Sequence, residues 1–277
     1  MKTKITLWVL MILDAVIAIG VTGYGLITGQ SFVQIPLFRA MLLGIPFILT
    51  CLHAMWNFGF KRGVSFLLLS ALIGFLAEVL GVNFGLGFGG NYSYRTQTGM
   101  IWGVPLTIPI YWAIFIYTSN VISTSCFGWF GIPKPRFGKR HALFLILLLA
   151  ILDGILTMNI DMALDPLQTV RESWTWFVQG PYFGIPIGNF VGWFLVAIIA
   201  SGLFRIFEGI NPQKNERVND PTLLLPTIGY GILAISIILM SIQLNHPEYA
   251  LIAISTMAPI FIVSNILFLV RPSSRKT

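Results

Sequence analysis

Residues 141–166 read HALFLILLLAILDGILTMNIDMALDP. The run is long and apolar enough to cross a bilayer, whose ~30 Å hydrocarbon core takes about 20 helical residues. Yet it carries Asp153, Asp161 and Asp165. A carboxylate at mid-bilayer costs at least ~3 kcal/mol on insertion scales, and such acids normally face a bundle interior. Asp153, Thr157, Asp161 and Asp165 recur every fourth residue, which makes one slowly drifting polar stripe on a helix. Pro166 is expected to end or kink that helix.

The rest of the chain repeats the pattern. Mean hydropathy is +0.83, and 56% of the 277 residues are hydrophobic against 10% charged, outside the range of soluble domains. Eight stretches reach or approach spanning length: about 5–28, 37–60, 64–83, 102–124, 141–163, 183–206, 223–243 and 249–270. The expected fold class is all-α, a polytopic transmembrane helix bundle forming one integral-membrane domain over 1–277. A barrel would show short alternating segments instead. The first stretch begins with Lys2 and Lys4, as a signal peptide would. Its length and the central Asp14 favour a retained helix.

With the N-terminus placed in the cytoplasm, fourteen of the seventeen Lys and Arg fall inside. They are Lys2, Lys4, Lys61, Arg62, Lys134, Arg136, Lys139, Arg140, Arg205, Lys214, Arg217, Arg271, Arg275 and Lys276. Arg39, Arg95 and Arg171 fall outside. This split predicts both termini in the cytoplasm and a multi-pass cell-membrane location. The net charge of +7 reads as topology and contact with anionic membrane lipids. It is dispersed over five segments, so no nucleic-acid surface is expected. Cys51, Cys126, His53, His141 and His246 show no metal-ligand spacing, so no metal is expected.

Two outer loops, 84–101 and 164–182, are long and rich in Gly, Trp, Tyr and Phe. After them, Gly103-Val104-Pro105 with Trp112 matches Gly184-Ile185-Pro186 with Trp193 at identical spacing. Glu78 precedes the first element and Asp161 the second by a similar distance. Two helical hairpins of the same direction are therefore expected to be duplicated. At 1.5 Å rise per residue, Glu78 lies ~21 Å, Asp153 ~18 Å and Asp161 ~30 Å along their spans. Glu78, Asp161 and Asp165 are thus expected to meet beneath the aromatic loops, while Asp14 and Asp153 read as interhelical hydrogen-bonding groups. The run Gly85-Leu-Gly87-Phe-Gly89-Gly90 lacks the Lys-Ser/Thr ending of a P-loop.

An ordered set of these residues resembles the integral-membrane carotenoid hydratase family, which includes bisanhydrobacterioruberin hydratase and the gamma-carotene 1'-hydroxylases. The set is Glu78-x4-Asn83-Phe-Gly85, Gly90-Asn91-Tyr92-x-Tyr94, Gly103-Val-Pro105, Asp161-x3-Asp165-Pro166, Trp174-x-Trp176 and Tyr182-Phe-Gly-Ile-Pro186-x2-Asn189-Phe-x2-Trp193. It runs from about residue 70 to about 195. The resemblance implies cofactor-independent hydration of a terminal isopropylidene group, giving a tertiary alcohol. It implies a carotenoid substrate, with other enzymes of the pathway as possible partners.

That chemistry needs an acid to protonate the alkene, aromatic faces for the cation, and a base for water. Glu78 is the expected acid and Asp161 the base, with Asp165 in reserve. Arg95 or Arg171 is expected to keep the second acid charged. Asn91, Tyr92, Tyr94, Arg95, Arg171, Trp174, Trp176, Tyr182, Asn189 and Trp193 are the expected substrate-binding residues. Three other functions share features with this reading. A carotenoid cyclase would use the same protonation without water. A membrane prenyltransferase would use an Asp-rich motif, but here the adjacent double acid is missing. A transporter would also have buried acids and repeated hairpins.

Overall fold

A computed structural model describes residues 2–30, 35–95, 99–128, 139–211 and 220–270. Eight helices follow in order: α1 (Lys2–Thr28), α2 (Pro36–Phe58), α3 (Phe60–Phe84), α4 (Thr107–Gly128), α5 (Lys139–Val170), α6 (Ile187–Ile210), α7 (Leu225–Gln243) and α8 (Pro247–Leu269). They form an all-α polytopic bundle. Of the expected cytoplasmic bases, Lys134, Arg136, Lys214, Arg217, Arg271, Arg275 and Lys276 lie outside the described residues.

Seven helices are long and apolar enough to cross a membrane; α4 is the exception. The sequence predicts eight spans of similar character, and the fold explains the difference. α4 packs against α2, α3, α5, α6, α7 and α8. It can therefore bury Ser119, Asn120 and Ser123, which a lipid-facing helix could not. The outer helices do the reverse. Leu68, Leu72, Leu76 and Leu80 form an exposed stripe on α3, and Val191, Leu195, Ile199 and Leu203 form one on α6. Together such stripes far exceed the ~300–600 Å² apolar patch of a soluble monomer, so this surface belongs in lipid.

Of the two outcomes expected at Pro166, an end or a kink, α5 does not show the end. It does not stop at Pro166 but runs on to Val170. A proline lacks the N–H that would bond the carbonyl four residues earlier. Here that carbonyl belongs to Met162, and the Tyr182 hydroxyl donates to it at 3.0 Å. A partner from the following loop thus replaces the missing helical bond, and the helix continues.

The hairpins α3–α4 and α5–α6, which carry the sequence repeat, meet at matched positions. Their loops pair as an antiparallel ribbon, β1 (Tyr92–Tyr94) against β4 (Trp174–Trp176), centred on Ser93 opposite Thr175. A small hairpin, β2 (Met100–Ile101) with β3 (Val104–Pro105), completes the first loop. Below the ribbon, Trp112 and Trp193 stack with centroids 4.0 Å apart. These are the two residues that occupy equivalent places in the sequence repeat. The glycine run of the first loop lies on α6, where Gly89 packs against Gly188 and Gly87 against Gly192. Close backbone approach accounts for Gly89, Gly188 and Gly192, whereas Gly87 adopts a positive φ of 89° that favours glycine.

Candidate functional site

Three carboxyl groups converge under the loops. Glu78 projects from α3, and Asp161 and Asp165 from the last turns of α5. All three are buried and line one cavity of about 1240 Å³. That volume exceeds the ~300–1,000 Å³ usual for small-molecule sites. Along α2 the cavity wall runs from Arg39 to His53, an axial distance of about 21 Å.

The Glu78 carboxyl is held by three donors. The hydroxyls of Tyr92 and Tyr94 donate to Oε2 at 2.5 and 2.6 Å, and Trp112 Nε1 donates to Oε1 at 3.1 Å. Burial, then the adjacent Glu78, holds the Tyr92 and Tyr94 phenols well above their ordinary range. Both therefore keep their protons and act as donors. Oε2 is saturated by the two phenols, so Oε1 is the position from which Glu78 can exchange a proton.

The aspartates share one amide. Asn189 Nδ2 donates to Asp161 Oδ2 at 2.6 Å and to Asp165 Oδ2 at 2.8 Å. Asp165 Oδ1 also accepts from Trp174 Nε1 at 2.5 Å and Thr169 Oγ1 at 3.4 Å. Among the described residues, Asp161 Oδ1 has no hydrogen-bond partner. Asp165 is thus anchored on both oxygens, whereas Asp161 keeps one oxygen for a ligand.

The expected constellation is largely in one place. Tyr92, Tyr94, Arg95, Arg171, Trp174, Trp176, Asn189 and Trp193 line the same cavity as the acids. Asn91 and Tyr182 are not in its wall. Asn91 accepts the Phe177 N–H within the loop structure, and Tyr182 caps the Met162 carbonyl. The expected arginine partner of the second acid is corrected too. Arg95 pairs with Glu172 at 2.8 Å on the surface, and Arg171 reaches Met240 Sδ at 3.8 Å. Hydrogen bonds from neutral groups hold the acids instead.

The remaining acids separate by position. Asp153 is fully buried and bound by Arg205, whose Nε lies 2.8 Å from Oδ2 and whose Nη2 lies 3.0 Å from Oδ1. Ser123 and Ser201 also donate to it. It is therefore a buried salt bridge rather than a simple interhelical hydrogen bond. Asp14 lines the cavity from α1.

Sequence reasoning left Trp112 out of the site, although its repeat equivalence to Trp193 was the available signal. It also left out the far end of the cavity. There His53 bonds the Tyr117 hydroxyl at 2.5 Å and the Thr222 carbonyl at 2.8 Å. The second bond makes Nε2 a donor, so Nδ1 accepts from Tyr117.

Trp112 reaches Glu78 because Gly74 leaves room for its ring. A Cβ at position 74 would collide with the indole. Gly74→Ala is expected to lower thermal stability, with overpacking costing about 1–3 kcal/mol. It should also lower turnover per folded molecule, because the displaced indole leaves Oε1. Detergent-solubilised melting and product yield measure the two effects separately.

The architecture and the site together define a multi-pass membrane protein with a polar, carboxyl-lined chamber above a deep cavity. The carotenoid biosynthesis protein family matches residues 36–260, more than half of the chain, and the protein belongs to that family. Its role lies in carotenoid biosynthesis. Comparison with curated proteins and with solved structures gave no match.

Proposed function

We propose that the protein is a cofactor-independent hydratase of the cell membrane, with both termini cytoplasmic. It adds water across a terminal isopropylidene double bond of an acyclic or monocyclic carotenoid. The observation that carries this reading is that Glu78 and the Asp161–Asp165 pair line one cavity together with Tyr92, Tyr94, Trp112 and Trp193. One end of a long apolar polyene would enter the cavity, with its end group beneath the loops.

In this scheme Glu78 transfers the proton on Oε1 to the less substituted alkene carbon. The π pair forms the new C–H bond, and positive charge is left on the tertiary carbon. The face of Trp193 turned away from its stack with Trp112 eases that cation, contributing ~0.5–2 kcal/mol. Water attacks the cation, and the open Oδ1 of Asp161 takes the released proton. A proton returned from Asp161 to Glu78 restores the site. Asn189 and Asp165 orient Asp161, and no external reductant or oxidant enters the balance.

The test is expression in a lycopene-producing host, followed by mass analysis of the pigments. The expected product gains one water. An unchanged mass with altered retention would assign cyclisation instead, and an unchanged pigment would remove the enzymatic reading.

A further inference from the structure

The β1–β4 ribbon has two faces, because successive side chains on a strand point in opposite directions. Tyr92 and Tyr94 turn toward the acids and line the main cavity. Ser93 and Thr175, paired at the centre of the ribbon, turn away from it. They line a second cavity of about 530 Å³. Glu172, Thr175 and Gln179 in its wall are exposed, so this second cavity lies at the protein surface. Trp174 and Trp176, with the Arg95–Glu172 ion pair at the ribbon's end, line both cavities. They form the partition between the surface and the site.

That partition is thin where the aspartates lie. Thr169 and Trp174, both in the wall of the outer cavity, donate to Asp165 Oδ1 at 3.4 and 2.5 Å. Asp165 Oδ2 in turn shares the Asn189 amide with Asp161. The outer cavity thus stands one side chain away from the aspartate pair. Trp176 Nε1 is buried in the partition and has no hydrogen-bond partner among the described residues. An unpaired buried donor costs about 1–3 kcal/mol. Water is the usual partner of such a group.

Hydration sets a requirement that this arrangement meets. Water must reach the cation while the polyene occupies the main cavity, and an apolar chain there excludes water from that side. The two substrates therefore need separate entries. We propose that the outer cavity is the water port of the site. Water enters it from the aqueous phase on the loop side, passes between Trp174 and Trp176, and reaches Asp165 and Asp161. This inference rests on the hydratase reading and adds to it the route of the second substrate.

A thiol in the port tests it. Ser93→Cys and Thr175→Cys place one there without touching the acids. The parent protein, whose Cys51 and Cys126 lie in α2 and α4, is the control. Each full-length variant is labelled with sulfonatoethyl methanethiosulfonate, which plugs the port, or with methyl methanethiosulfonate, which adds only a thiomethyl group. Unlabelled variants are expected to turn over at the parent rate. The sulfonatoethyl label is expected to lower kcat about tenfold or more, with KM for the carotenoid unchanged. The methyl label should have little effect, and dithiothreitol should restore the rate. Undiminished kcat after complete labelling, a rise in KM alone, or equal loss with both labels would overturn the port. Radiolytic footprinting reads the port without turnover, since hydroxyl radicals formed from water oxidise the side chains beside it. Buried Trp176 is expected to oxidise as readily as Trp102, which is 67% exposed, and the sulfonatoethyl label should suppress this. A protected Trp176 in the unlabelled protein would overturn the port. An oxidised Trp176 with no hydration product would keep the wet cavity and overturn the hydratase reading.

Discussion

Glu78→Gln is expected to lower hydration by about 10²–10⁴-fold, the usual range for loss of a positioned general acid. The amide keeps the shape of the carboxyl. Its oxygen can still accept from Tyr92 and Tyr94, but its –NH2 then faces the Trp112 N–H. The melting temperature should therefore fall, by the equivalent of the ~1–3 kcal/mol of one unpaired buried donor, while the protein still folds. What disappears is the transferable proton at Oε1. Asp161→Asn should be comparably damaging, because it removes the oxygen left open for water. Asp165→Asn should have a similar or smaller effect, since both Asp165 oxygens are already occupied and its part is to orient. The measurement is product formed per unit of folded protein. Near-normal turnover by a well-folded Glu78→Gln protein would remove Glu78 as proton donor.

Asp153→Asn is expected to act through folding. The change leaves the Arg205 guanidinium buried without its counter-charge, a loss of about 3–5 kcal/mol when one partner of a buried pair is removed. Unfolding in a mixed-detergent titration should show it, while the surviving folded fraction turns over normally. The double variant Asp153→Asn/Arg205→Met should recover much of the loss, because the orphaned charge goes with it. A stable but inactive Asp153→Asn protein would move the chemistry to this deeper group.

Asp153 and Asp161 show how one sequence pattern acquires two physical meanings. They sit two turns apart on the same stripe. A four-residue repeat advances about 40° more than a full helical turn, so the stripe rotates as it climbs. Asp153 meets Ser123, Ser201 and Arg205, whereas Asp161 meets Asn189 and the cavity. Nothing within α5 says which partner each will find. Arg205 lies 52 residues beyond Asp153, and its choice of partner is a matter of packing between α5 and α6.

Tyr182 and Trp112 make the same point from opposite sides. Tyr182 has the composition of a binding residue and serves to satisfy the carbonyl freed by Pro166. Trp112 has the appearance of a core aromatic and donates to the central carboxyl. Both assignments depend on hydrogen bonds between distant segments, which local pattern does not specify.

By itself the sequence determined the helical membrane fold, the spacing shared by the two long loops and the three acids to watch. These follow from apolar run length, from exact spacing between repeats, and from the cost of placing a carboxyl in lipid. Only the tertiary structure decided that α4 is enclosed, that Asp153 is salt-bridged, that three donors hold Glu78, and which oxygen of Asp161 stays open to a ligand. A bilayer constrains each helix separately, through its length and polarity. The pairing of polar groups is settled between helices, where a residue's partner depends on rotation, depth and neighbours together.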